Sequence, residues 1–147
     1  MHKCISIDYI TQYCSSYSNN SENSIYFFDL KEYKVYSKYE LIKDWGFEEE
    51  DFCNLINLEY EMQLIPVCRV NIIDEIRSFL LSENNRKLSN KISNMCNMSN
   101  DEVYVNFQKL CDYDAVISSH WNEYIERVKT HCTIKWCKDN NIIYRIG

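Results

Sequence analysis

"SIYFFDLKEYKVY", residues 24–36, carries five aromatic side chains in thirteen positions and then gives way to charge. β-Branched and aromatic residues dominate positions 24–30, which read as a strand. Its side chains alternate, with Tyr26, Phe28 and Leu30 on one face and Phe27 and Asp29 on the other. Positions 31–34 predict a turn and 35–38 a return strand, although no Asn-Gly or Asp-Gly marks the hairpin. The Tyr26 face is expected to form one wall of a core. The second face, holding Phe27, Tyr33 and Tyr36, is expected to stay partly exposed and to offer an interface.

Downstream of this hairpin, "LIPVCRV" at 64–70 reads as another strand, and Pro66 assigns it to a sheet edge or to the first residues of the strand. Upstream, Ile5 and Ile7 alternate before Asp8, which is expected to cap a short helix bearing Tyr9, Ile10, Tyr13, Cys14 and Tyr17. Residues 15–24 read as a loop. Between 39 and 63 the pattern is mixed, with Tyr39, Leu41, Ile42, Trp45 and Phe47 around Gly46 and then the acidic run Glu48, Glu49, Glu50, Asp51.

After residue 70 the apolar period changes from two to about 3.6. Ile72, Ile73, Ile76, Phe79 and Leu80 make a helical stripe with Asn71 as its cap. Leu88, Ile92 and Met95 predict a second helix. Ser99 with Glu102 fits a capping box ahead of Val103, Phe107, Leu110 and Cys111. The strongest stripe is Trp121, Tyr124, Ile125, Val128, Cys132, Lys135 and Trp136, predicting a long helix over 118–138. Strands precede helices, so the expectation is a single α+β domain over 1–147. A small antiparallel sheet from the N-terminal half would be packed by about four helices from the C-terminal half.

The motifs Tyr26-Phe27-Phe28-Asp29-Leu30, Ile65-Pro66, Ile76 with Phe79, Phe107-Gln108-Lys109-Leu110, and Trp121 and Tyr124 with Trp136 occur in an order that resembles the small bacterial proteins of uncharacterised protein family zero-one-five-eight. The likeness runs from about residue 24 to 142. It implies an architecture and, since that family has no assigned activity, no reaction. Where relatives tend to show a Gly-Arg-Gly-Ala-Phe-like start, this chain has Asn100, Asp101, Glu102, Val103, Tyr104, Val105 and Asn106. An anion-binding role at that helix start is therefore in doubt, while the apolar Phe107 and Leu110 are kept.

A chain of 147 residues is long enough for one core, burying roughly 68–70% of its unfolded surface. No stretch approaches the ~20 apolar residues that cross a bilayer, so no membrane association is expected. MHKCISIDYI lacks the pattern of a signal peptide, so the mature chain is expected to begin near Met1 and to be cytoplasmic. Eight cysteines in a reducing compartment are then expected to be free and mostly buried. Net charge is −6, and all of it lies in the first half: residues 1–73 hold twelve Asp or Glu against six Lys or Arg, and residues 74–147 hold ten of each. Phosphate backbones are bound by displacing counterions with Lys and Arg, so an acidic chain disfavours nucleic acid.

Reactive constellations are sparse. No C-x-x-C pair is present. His131 and Cys132 are adjacent on a predicted helix and point about 100° apart, and His120 lies about 16 Å away along the axis, so no metal site and no cofactor is expected. Ser118-Ser119-His120 brings hydroxyl and imidazole together, but at a predicted helix start, where capping explains the serines. With two glycines in the chain, phosphate-cradling loops are nearly excluded. Asp29 is the first candidate for metal-assisted hydrolysis with paired carboxylates, with Asp8, Asp74 and Glu75 behind it. A turn role for Asp29 and a first-turn role for Asp74 and Glu75 explain these acids more simply. The function best supported by the residues is a protein-interaction or regulatory module without catalytic chemistry. It would contact another protein, or itself, through Phe27, Tyr33 and Tyr36 or through Glu48, Glu49, Glu50 and Asp51.

Overall fold

The structure, a computed structural model, describes residues 3–17, 25–82 and 97–147. The chain is α+β. Its centre is a three-stranded antiparallel sheet of β3 (Tyr26–Asp29), β4 (Lys34–Ser37) and β5 (Leu64–Pro66), in the order β4-β3-β5. The aromatic strand is thus the middle one. Phe27 lies opposite Tyr36 on one side and Pro66 on the other. Pro66 sits on the edge strand, where a missing N–H is tolerated.

The hairpin turn is made by Asp29 instead of Asn-Gly. Its Oδ1 accepts the N–H groups of Lys31 (2.8 Å) and Glu32 (3.1 Å), and its carbonyl accepts Tyr33 N–H at 2.8 Å. Tyr33 then adopts a left-handed φ of 57°. Asp29 is buried, and this local bonding gives it the turn-forming role expected of a short carboxylate at a strand end.

The structure corrects the expected exposure of the second sheet face. Phe27 is only 1% exposed and Phe28 0% exposed. Consecutive strand residues point to opposite faces, so both faces are covered. Beneath Phe28 lie α1 (Ile7–Thr11) and the C-terminal part of α6 (Ala115–Asp139), with Ile10, Ile65 and Cys137 in the same cluster. Trp136 meets the Phe28 ring edge-on at 5.3 Å and donates its indole N–H to the Pro66 carbonyl at 3.1 Å. Beneath Phe27 lie Leu41, Leu58 and Leu64, with Tyr36, Phe47 and Phe52 around them. Tyr36 shares that face with Phe27. Tyr33 does not, because its left-handed turn position carries its ring to Phe28, at 5.3 Å.

A third cluster joins α4 (Ile72–Ser82), α5 (Asn100–Tyr113) and α6. Phe79, Phe107 and Trp121 pack edge to face there, with Phe107 and Trp121 centred 4.9 Å apart. Asn71 caps α4 by accepting Asp74 N–H, and Ser99 caps α5 by accepting Glu102 N–H, as their sequences predict. Two caps differ from expectation. Ser6, not Asp8, accepts at the start of α1, and Asp114 accepts from Val116 and Ile117 at the start of α6. Asp has both lone pairs and charge to offer the first turn, so Ser118, Ser119 and His120 lie inside the helix. Lys135 is exposed and bonds Asp139 at 2.8 Å, and the inward residues of that turn are Trp136 and the fully buried Cys137. The helix expected around Leu88, Ile92 and Met95 lies outside the described residues. Two-residue parallel bridges add β1 (Ile5–Ser6) to β7 (Tyr144–Arg145) and β2 (Ser15–Ser16) to β6 (Val70–Asn71).

Phe27→Ala separates a covered face from an exposed one. A buried ring predicts a loss of about 3–5 kcal/mol on truncation, whereas an exposed one predicts a change within about 0.5 kcal/mol. Urea unfolding followed by circular dichroism should show the larger loss.

Candidate functional site

The layer that covers Phe27 is built from short, tightly stopped pieces. Ser37 starts α2 (Lys38–Trp45) with a capping box, accepting Glu40 N–H at 3.0 Å while Glu40 accepts Ser37 N–H at 3.2 Å. Gly46 ends it at a φ of 76°, in the left-handed region. Glu48 then opens a 3-10 turn, Glu49–Cys53, by donating its N–H to Asp51 Oδ2 at 2.8 Å. Asn54 caps α3 (Leu55–Asn57), which runs into a π turn, Leu58–Met62. Gln63, at a φ of 55°, stops it, and its carbonyl accepts Leu30 N–H at 2.9 Å, fastening the layer to the sheet.

These pieces present Phe47, Phe52 and Leu58 inward and leave a cleft of about 260 Å³ on the outside. Phe47, Leu58 and Met62 line its apolar side, and Glu50, Asp51 and Glu61 its acidic side. On the same segment, but not among the residues that line the cleft, Ile56 is 80% exposed and Tyr60 86% exposed, with Leu55 and Met62 also open to water. The segment's own charge is of one sign: residues 44–68 contain seven Asp or Glu and no Lys or Arg. Lys38, from the start of α2, reaches in to bond Glu49 at 2.7 Å and lies 5.2 Å from the centre of the Phe52 ring. π turns are rare and recur at functional sites, because the extra residue per turn displaces side chains from the regular helical positions.

The structure divides the residues singled out in the sequence. Glu48, Glu49, Glu50 and Asp51 are exposed, and Glu50 and Asp51 line the cleft. Phe27 is buried behind that cleft's floor, and Tyr36 is half-buried against Trp45, 5.0 Å away. Tyr33 lies elsewhere and accepts Ile143 N–H. The carboxylate candidates also stand apart: Asp29 serves the hairpin turn, Asp8 the first turn of α1, and Asp74 and Glu75 the first turn of α4. Glu75 accepts the Tyr124 hydroxyl at 2.8 Å. Burial and that bonded carboxylate push the tyrosine up to about 12. Among the described residues no group of three or more His, Cys, Asp or Glu side chains is arranged to hold a metal ion.

Sequence reading missed Leu55, Ile56, Tyr60 and Met62. Their spacing fits neither a strand nor one helical stripe, but the 25-residue absence of Lys and Arg and the Ser37-x-x-Glu40 box were both legible signals. In comparisons with family models, curated proteins and solved structures, the chain matches none.

The left-handed stop at Gly46 positions the acidic layer, and no atom would clash with an added Cβ there. Gly46→Ala should therefore cost about 1–2 kcal/mol from backbone strain alone, and Ser37→Ala about 1 kcal/mol from the lost cap. Both losses are measurable as shifts in the urea midpoint.

Proposed function

We propose that this chain is a small cytoplasmic protein-interaction module without catalytic chemistry of its own, and that the exposed side of the 45–62 segment takes a basic amphipathic segment of a partner protein. The carrying observation is the coincidence of exposed Ile56 and Tyr60 with seven acidic and no basic residues over 44–68. Apolar side chains grouped in the open and rimmed by polar ones mark interaction sites. The acidic rim selects a partner of opposite charge and accelerates its arrival. A second copy of this face would place like charges opposite each other, so the reading favours a different protein over self-association.

Free thiols support the compartment. The seven cysteines described are all unbridged, including the exposed Cys4 and Cys53, which differ from the burial expected of them. Unbridged thiols are the usual state where glutathione keeps the medium reducing. No described helix is long and apolar enough to cross a membrane.

The test uses a fluorescent helical peptide of alternating lysine and leucine faces, its glutamate counterpart, and a lysine-only peptide. Anisotropy should rise with the first peptide alone, with an affinity that weakens as salt screens the rim. Ile56→Ser with Tyr60→Ser should abolish that preference over the lysine-only peptide, and Glu50→Lys with Glu61→Lys should weaken binding at low salt. Unfolding midpoints should stay nearly unchanged, because exposed positions contribute within about 0.5 kcal/mol. Equal binding of the leucine-bearing and lysine-only peptides would overturn the reading.

A further inference from the structure

Cys68 and Cys132 are 64 residues apart in sequence and meet where two cores join. Cys68 follows β5 and packs against both the helical cluster around Phe107 and the sheet cluster around Phe28. Cys132 lies on α6 beside it. The two residue pairs interlock: Cys68 Sγ is 3.6 Å from Thr133 Oγ1, and Cys132 Sγ is 3.9 Å from the Arg69 carbonyl oxygen. Each thiol perturbs the other, lowering Cys132 and raising Cys68. Both are half-buried, and Thr133 behind them is fully buried.

From this juxtaposition we infer that Cys68 and Cys132 form a peroxide-oxidisable dithiol, a modification site in which one reversible disulfide ties the strand segment after β5 to the long helix α6. Cys132 is the attacking sulfur. The neighbouring Cys68 thiol lowers Cys132, and Lys135 one turn along adds to this; burial and Glu75 of α4 oppose it. Cys68 is raised, first by Cys132 and then by burial, and so keeps its proton. Cys14, on the other side, is pushed up to about 11 by burial against the opposing pull of Lys129, and stays a thiol. The thiolate is the nucleophile. Its sulfur attacks one peroxide oxygen, the O–O bond breaks, and the departing oxygen takes a proton, as alcohol or water. The Cys132 sulfenic acid is then attacked by Cys68 sulfur: the S–S bond forms, the S–O bond breaks, and hydroxide leaves with the Cys68 proton as water. Two thiols lose two electrons and the peroxide gains them. A small dithiol reverses the step by exchange.

The experiment uses the full chain, reduced and then exposed to hydrogen peroxide, with remaining thiols blocked and peptides mapped without reductant. A Cys68–Cys132 cross-link should appear ahead of any other cysteine pair, and dithiothreitol should remove it. Cys14→Ser should retain the link. Alkylation of Cys132 in the untreated protein should also reach half-rate at a lower pH than that of exposed Cys53, and Cys68→Ser should raise that midpoint. Cross-linking or irreversible oxidation confined to Cys4 and Cys53, Cys132 advancing to sulfinic acid without a link, or a Cys132 midpoint equal to that of Cys53, would each overturn the assignment. The map of the unaltered chain decides it even if a variant fails to fold.

Discussion

Phe27 and Phe28 are neighbours in the middle strand of a three-stranded sheet, they point to opposite faces, and both are shut away from water. At about 25 cal/mol per Å² and ~150–250 Å² per ring, each contributes up to about 4–6 kcal/mol of burial. A sheet this small supplies neither cover by itself. One must come from the ends of the chain, through α1 and the C-terminal turns of α6, and the other from the segment between β4 and β5. The two covers account for why residues far apart in sequence converge on β3.

The covers differ in kind. The Phe28 side is closed by regular helix with Trp136 bonded back to the sheet edge. On the Phe27 side, α2, a 3-10 turn and a π turn are each halted by a cap or a left-handed residue. Short pieces of that sort bury a few anchors, Leu41, Phe47, Phe52 and Leu58, and have too little length to turn every apolar residue inward. Ile56 and Tyr60 are left outside, beside acids that cannot be buried cheaply. The proposed interaction face follows from how the second cover is made.

Helix α6 belongs to two cores at once. Its first half packs Trp121, Tyr124 and Ile125 against α4 and α5, and its last turns pack Trp136 and Cys137 against the sheet. Cys132 stands close to the junction, and Cys68 packs into both clusters. A bond between them would add a covalent tie to parts that otherwise rely on packing and a few hydrogen bonds. The same thiols, read one at a time in the sequence, resemble small apolar core residues.

Periodicity and capping chemistry act over a few residues, so they were legible. The aromatic strand, the edge position of Pro66, the helix stripes led by Ile76, Phe107 and Trp121, and the caps at Asn71 and Ser99 all follow from local rules. The turn at Asp29 was legible for the same reason, since its oxygen bonds residues two and three positions away. The sequence by itself determined an α+β chain with an acidic N-terminal half. Only the tertiary structure decided that Phe27 is covered, that Ile56 and Tyr60 are not, and that Cys68 lies beside Cys132. Those outcomes depend on which distant segments arrive at a given face, and burial is a property of the assembled pair of surfaces that no alternation within one strand can encode.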